Sequence, residues 1–222
     1  MRTEEVLRNH WFFSQEVGKE EALASDFQRK NWQAIQVPHD WSIYNDFDQY
    51  SPAQNEGGQL NGGQAWYRTH FYLEEDASLV SVRLLFDGIY MNAQVYINGQ
   101  VLGYYPNGYT PFSYDITPYL RNDGMTNQLA VFVENQQPSS RWYSGSGIYR
   151  EVKLLITDSM HLDLYGIKIE SPKLKEQRDG WVETQLESKV SNDGPQSVSV
   201  YLEQSIWYDG QQVSDWQATD SL

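Results

Sequence analysis

Apolar residues recur at every second position through much of this chain, in short runs broken by turn dipeptides. In "AQVYINGQVLGYY" (93–105), Ala93, Val95 and Ile97 alternate with Gln94, Tyr96 and Asn98. A period of two places successive side chains on opposite faces of a strand, whereas an amphipathic helix needs apolar residues at i, i+3, i+4 and i+7. The helical spacing is not met convincingly anywhere, so the chain reads as all-β. The clearest strands are "SLVSVRLLFDGI" (78–89), 93–105, "NQLAVFVEN" (127–135) and "YREVKLLI" (149–156). Asn98 and Gly99 suit the two positive-φ positions of a type I′ turn, which folds 93–105 into a hairpin with Val95 and Ile97 facing inward. "FSYDITPYL" (112–120) reads as a strand closed by a short turn, because Pro118 has no N–H to give to a ladder; it fits an edge or a crossover. Strands repeating about every 8 to 12 residues indicate a sandwich or barrel and not βαβ units.

A change of pattern near residues 156–160 divides the chain into 1–157 and 158–222. The second part, from "HLDLYGIKIESP" to "SIWYDGQQV", carries three or four strands with Asn-Asp-Gly-Pro and Asp-Gly turns, the spacing of an immunoglobulin-like sandwich. Such a sandwich takes about seven strands and roughly 100 residues. Only 65 residues follow position 157, so this domain is expected to be incomplete here.

Composition narrows the function classes. The 16 Tyr, 8 Trp and 8 Phe suit a β-rich core and leave some rings as surface platforms for sugars. A net charge of −14 repels phosphate backbones, which argues against nucleic acid as a partner. With no cysteine there is no disulfide, thiolate metal site or thiol nucleophile. "MRTEEVLRNHWFF" lacks the basic-then-apolar run of a secretory signal, and no stretch approaches the roughly 18 apolar residues of a membrane span. The acidic composition suits a soluble protein, with the cytoplasm favoured over the cell surface.

Three constellations carry chemistry. In "VPHDWSIYNDF" (37–47), His39 beside Asp40 is the pairing of a general base, but neighbours in an extended segment point to opposite sides. The favoured reading is structural: both residues bond nearby backbone to fix an irregular loop, with Trp41 packed beneath it. The histidines His10, His39, His70 and His161 are too dispersed for zinc; loop carboxylates such as Asp46 and Asp48 leave calcium open, and no metal or cofactor is assigned. "NEGGQLNGGQAWYRTHF" (55–71) has two Gly-Gly pairs, but a strand and not a helix follows, so a phosphate loop is excluded and the glycines are read as permitting close backbone approach.

"VPHDW", the glycine-rich loop into "AWYRTHF", "LLFDGIYMNAQVYINGQVLGYYPNGYTPFSYDITPYL" and "RWYSGSGIYREVKL" together resemble the N-terminal sugar-binding domain of glycoside hydrolase family 2, the bacterial β-galactosidases above all. The resemblance covers nearly the whole chain in order. It implies a jelly-roll (galactose-binding-like) β-sandwich over 1–157, followed by the start of an immunoglobulin-like sandwich over 158–222. It also implies a retaining mechanism run by two glutamates about 5 to 5.5 Å apart on a TIM barrel outside this chain. No carboxylate here inherits either role, and the chain by itself is expected to be inactive.

Such a jelly roll packs against the barrel and lends loops to the rim of the active-site pocket. The resemblance therefore marks Arg141, Trp142 and Asn61 as candidate contacts to a terminal β-galactoside, with Gly58, Gly62, Gly63, Gly145 and Gly147 shaping the loops. An arginine fork suits hydroxyl recognition, and an indole face suits sugar C–H groups. For Arg141 an interdomain salt bridge and a plain solvated position stand beside sugar contact; for Trp142, packing against the barrel. The alternatives to a β-galactosidase part are an independent lectin-like module and a family member acting on β-glucuronides or β-mannosides. A purely structural sandwich that self-associates, as a homo-oligomer, through uncovered surface is a further alternative.

Overall fold

The computed structural model describes residues 2–74, 76, 79–121, 123–139, 145–175 and 182–221, for 215–221 the backbone only. Among them are fourteen strands and one five-residue α-helix. The chain divides into two compact units, 2–156 and 157 onward.

The first unit is a sandwich of two sheets. One holds β1 (Arg2–Val6), β5 (Val80–Phe86), β8 (Phe112–Asp115) and β10 (Val152–Asp158) in the order β1-β10-β5-β8. The other holds β2 (Trp11–Ser14), β3 (Gln33–Ile35), β4 (Gly63–Phe71), β6 (Ala93–Ile97), β7 (Gln100–Tyr105) and β9 (Asn127–Asn135) in the order β3-β2-β4-β9-β6-β7. The period of two is realised in the core between them. Val82, Leu84 and Phe86 of β5 and Val152, Leu154 and Ile156 of β10 meet Tyr67 of β4, Val95 and Ile97 of β6, and Leu129, Val131 and Val133 of β9. Each such aliphatic burial contributes about 1.5–3 kcal/mol of transfer free energy.

The 93–105 hairpin is present, with Asn98 at φ 49 and Gly99 at φ 79, and β9 spans the expected residues. Strand β8 lies at a sheet edge and runs into a 3-10 turn over Thr117–Tyr119. Strand β5 covers Val80–Phe86 of the 78–89 expected, and the final strand of the sandwich begins at Val152 and not at Tyr149. The reason is that the preceding backbone pairs with other loops. Gly147 exchanges two hydrogen bonds with Tyr90, and the carbonyl of Ile148 accepts from the N–H of His39.

The sequence also concealed β1, whose "RTEEV" is wholly exposed and shows no alternation, and the helix α1 (Lys19–Leu23), too short to display a helical period. The α1 region covers the outer face of the six-stranded sheet, where Val17, Ala22 and Trp32 join Trp66, Tyr96 and Ala130 in a second buried cluster. Fully buried Arg68 ties it down, donating to the carbonyls of Ala22 (3.0 Å) and Ala24 (2.7 Å) with its guanidinium over the Phe27 ring. A cation on the last carbonyls of a helix satisfies orphan acceptors and complements the helix dipole.

The second unit has two antiparallel ribbons. β11 (Met160–Glu170) pairs with β12 (Gln185–Asn192), and β13 (Ser199–Tyr208) with β14 (Gln211–Ser221) through a turn with Asp209 at φ 47 and Gly210 at φ 75.

Candidate functional site

Strand β4 begins, β9 ends and β6 begins at one end of the six-stranded sheet, as the pairings Gly63 with Asn135 and Gln94 with Phe132 require. Loop 36–62 gathers there with residues 136–139 and 145–148. Residues 37–41 reach this end by bonding in turn to Arg8, Ile148 and Ser146, through the N–H groups of Val37 (3.0 Å), His39 (2.7 Å) and Trp41 (3.0 Å).

Asp40 is the hub. Its Oδ1 accepts the backbone N–H of Ser42 (3.0 Å) and of Ser146 (2.9 Å), joining loops 106 residues apart. Hydrogen bonds from N–H groups to a carboxylate are among the stronger ones. Ser42 Oγ lies 2.5 Å from Ser146 Oγ and donates to the carbonyl of Asn61 (2.8 Å), while the Asn135 amide donates to Ser146 Oγ (2.7 Å). Trp41 Nε1 donates to the carbonyl of Gly62 (3.2 Å), and Gln137 clasps the same loop by accepting from Gly62 N–H (2.9 Å) and donating to the Leu60 carbonyl (3.1 Å).

The structural reading of His39 and Asp40 is therefore right in kind and differs in one partner. Asp40 binds backbone, but the His39 ring bonds a side chain, with Nδ1 2.8 Å from Tyr67 Oη. Burial lowers the His39 pKa against the pull of Asp40, and burial holds the Tyr67 phenol well above its usual range. Neutral imidazole beside protonated phenol gives Tyr67 as donor and Nδ1 as acceptor. Both groups are spent on holding the loop.

Several of the expected residues converge here. Asn61 and Gly62 line the cleft described below. Gly58 (φ 67) and Gly63 (φ 106) occupy the left-handed region on either side of them. A methyl group on Gly62 would come within 2.6 Å of the Asn135 carbonyl, so the close backbone approach expected of this loop is made to the chain itself. Gly147, at φ 120, is required outright: a methyl group there would overlap the Tyr67 hydroxyl and lie 2.9 Å from the His39 carbonyl. At Gly145 it would lie 3.0 Å from Asp40 Oδ2. Arg141 and Trp142 lie outside the described residues. The sequence reading assigned no role to Ser42, Tyr67, Asn135, Gln137 or Ser146; Ser42, Tyr67 and Ser146 lie inside quoted motifs, but only spatial proximity gives them their partners.

The loops border an open, shallow cleft of about 800 Å³ lined by Gln15, Asn45, Asp46, Phe47, Tyr50 and Asn61. A second space of about 630 Å³ continues it past Gly62, Gln64, Glu134 and Gln137. Phe47 and Tyr50, exposed by 77% and 83%, line the cleft, and Ile43 and Tyr44 on the same loop are exposed as well. Among the described residues no three His, Asp or Glu side chains gather as metal ligands, and no helix is long and apolar enough to cross a membrane.

Residues 5–158 match the family model described as "Glycosyl hydrolases family 2, sugar binding domain". The chain belongs to glycosyl hydrolase family 2. A β-galactosidase of Bacteroides ovatus, BoGH2A, is 44% identical over 159 residues, which cover 71% of this chain and 19% of that protein. A β-glucuronidase of Formosa agariphila is 32% identical over 153 residues, 63% of this chain and 16% of its own length. A solved family 2 member from Bacteroides cellulosilyticus superposes with a TM-score of 0.85 at 31% identity, over 99% of this chain and 28% of that one. The chain thus spans under a third of the length of each of these relatives.

Proposed function

We propose that this chain is the non-catalytic, N-terminal part of a retaining family 2 β-galactosidase, and that it forms one wall of the pocket for a terminal, non-reducing β-D-galactoside. The observation that carries this reading is the Asp40 hub: it joins two loops beside a cleft lined with carboxamides, the groups that both donate to and accept from sugar hydroxyls. The identity to BoGH2A supports the choice of galactoside over glucuronide. So does the lining of the cleft, where Asp46, Asp48 and Glu134 oppose a uronate carboxylate. In this reading the two catalytic glutamates lie on a barrel elsewhere in the protein, and Ile43, Tyr44, Phe47 and Tyr50 are covered by it. Arg141 and Trp142 complete the rim, and residues 158–222 begin an immunoglobulin-like sandwich whose exposed Ile167 and Ile169 await further strands.

The test is hydrolysis of nitrophenyl β-galactoside, β-glucuronide and β-mannoside by the full-length protein, beside the isolated chain. Cleavage of the galactoside alone, with the isolated chain inert, is expected. Hydrolysis by the isolated chain sinks the reading, and activity restricted to glucuronide or mannoside replaces the substrate. Tight binding of free galactose by the isolated chain would favour an independent lectin-like module instead.

A further inference from the structure

The cleft does not stop at the loops. Gln15 lines both spaces described above and also a third, of about 320 Å³, on the outer face of the six-stranded sheet; Gln64 is shared by the second and third. The three form one trough running from Tyr50 at the loop end to Trp66, Phe132 and Lys19 on the sheet. Its floor at the far end is rigid, because Trp66, Phe132 and Gln94 are direct cross-strand neighbours on β4, β9 and β6, and Gln64 faces Glu134 in the adjoining row. Gln64 Nε2 donates to Glu134 Oε1 at 2.7 Å, which orients its amide over the trough.

The chemistry of the lining is uniform along its length. Carboxamides from Gln15, Asn45, Asn61, Gln64, Gln94 and Gln137 recur along the three sections, above a buried aromatic floor of Trp66 at the sheet-face end. A carboxamide pairs N–H donors with an acceptor oxygen, the complement of a hydroxyl that does both; Gln137 uses both groups on the loop, while Gln64 and Gln94 keep the groups not bonded to Glu134 and to the Tyr96 hydroxyl. Among the described lining residues the charged groups are Asp46, Asp48 and Glu134 against Lys19, which disfavours an anionic chain. Every section is as large as a small-molecule site, so a ligand matched to the trough is several sugar rings long.

We propose that this trough binds an uncharged oligosaccharide, the aglycone that carries the terminal sugar, and so directs the full-length enzyme towards neutral oligo- and polysaccharides in preference to disaccharides. The proposal rests on the reading of the chain as one wall of a family 2 glycosidase pocket. The sheet-face section is what distinguishes it, since a single terminal sugar held at the loops does not need Gln94.

The experiment uses the full-length protein and galacto-oligosaccharides of β-1,3, β-1,4 and β-1,6 linkage, two or six units long, with sulfur at the terminal glycosidic bond so that they bind without turnover. Calorimetric affinity is expected to rise about tenfold or more from two units to six in at least one linkage. Gln94→Trp, which fills the sheet-face section from a solvent-facing strand position, is expected to remove that gain while leaving the affinity for two units within about twofold. Equal affinity for both lengths in all three linkages overturns the proposal. So does a gain that survives in Gln94→Trp, or tighter binding of a hexameric galacturonate. Because binding is read apart from hydrolysis, a chain-length gain in a protein that cleaves only glucuronides would defeat the β-galactosidase assignment and leave the trough standing.

Discussion

The two units of this chain carry similar alternation and meet opposite fates. Val95 and Leu154 of the sandwich are 0% exposed, whereas Ile169 and Tyr201 of the ribbons remain 65% and 59% exposed. Alternation is enough to make a strand, since it sets which face each side chain takes. It does not make a core, because burial needs a second apolar sheet about 10 Å away. In 2–156 strands distant in the sequence supply that sheet, and in addition α1 and Arg68 cover its outer side.

The difference is open to attack by substitutions at matched positions, read by chemical denaturation of the chain. Gly147→Ala is expected to cost the most, about 4 kcal/mol, because overpacking against Tyr67 adds to left-handed strain. Gly210→Ala, at a turn with open space around it, costs only the strain, about 1 kcal/mol. Comparable losses at the two glycines would mean that the close packing around Tyr67 is not real. Leu154→Ala leaves a cavity and is expected to cost about 3 kcal/mol, while Ile169→Ala stays within about 0.5 kcal/mol. A large loss at Ile169 would show that the ribbons are covered after all.

Asp40→Ala probes the hub alone, since it leaves two N–H groups without their carboxylate, at a cost of about 2 kcal/mol. Protease cleavage within 36–62 should become faster in that variant, and an unchanged cleavage rate would detach the hub from loop order. The smallest effect concerns pH. Burial lowers the pKa of His39 and of His70 in the folded state, so the unfolded chain binds more protons below about pH 6.5 and stability declines from there as pH falls towards the depressed values. Tyr67 has the opposite sense: its raised pKa makes stability decline as pH climbs above about 10. His39→Gln should flatten part of the acid limb and Tyr67→Phe part of the alkaline one, as read from unfolding midpoints across the pH range.

Local chemistry made much of the fold legible. The hairpin at Asn98-Gly99 and the edge strand stopped by Pro118 follow from backbone geometry within a few residues. Strand β9 was legible because five consecutive apolar residues, Leu129 to Val133, are rich in β-formers and bounded by polar ones, and β1 was not because none of its side chains is buried. The loops told less. The two Gly-Gly pairs were visible, yet what Gly62 approaches is the carbonyl of Asn135, and nothing near either residue in the sequence announces the other.

Periodicity and turn chemistry, being short-range, settled from the sequence which segments are strands and how neighbouring ones turn back. The convergence of Asp40 with Ser146, the pairing of Tyr67 with His39, and the trough shared by β4, β6 and β9 came only with the folded chain. Each depends on which distant strands pair and in what register, and that is set by the joint burial of two sheets and not by any one segment.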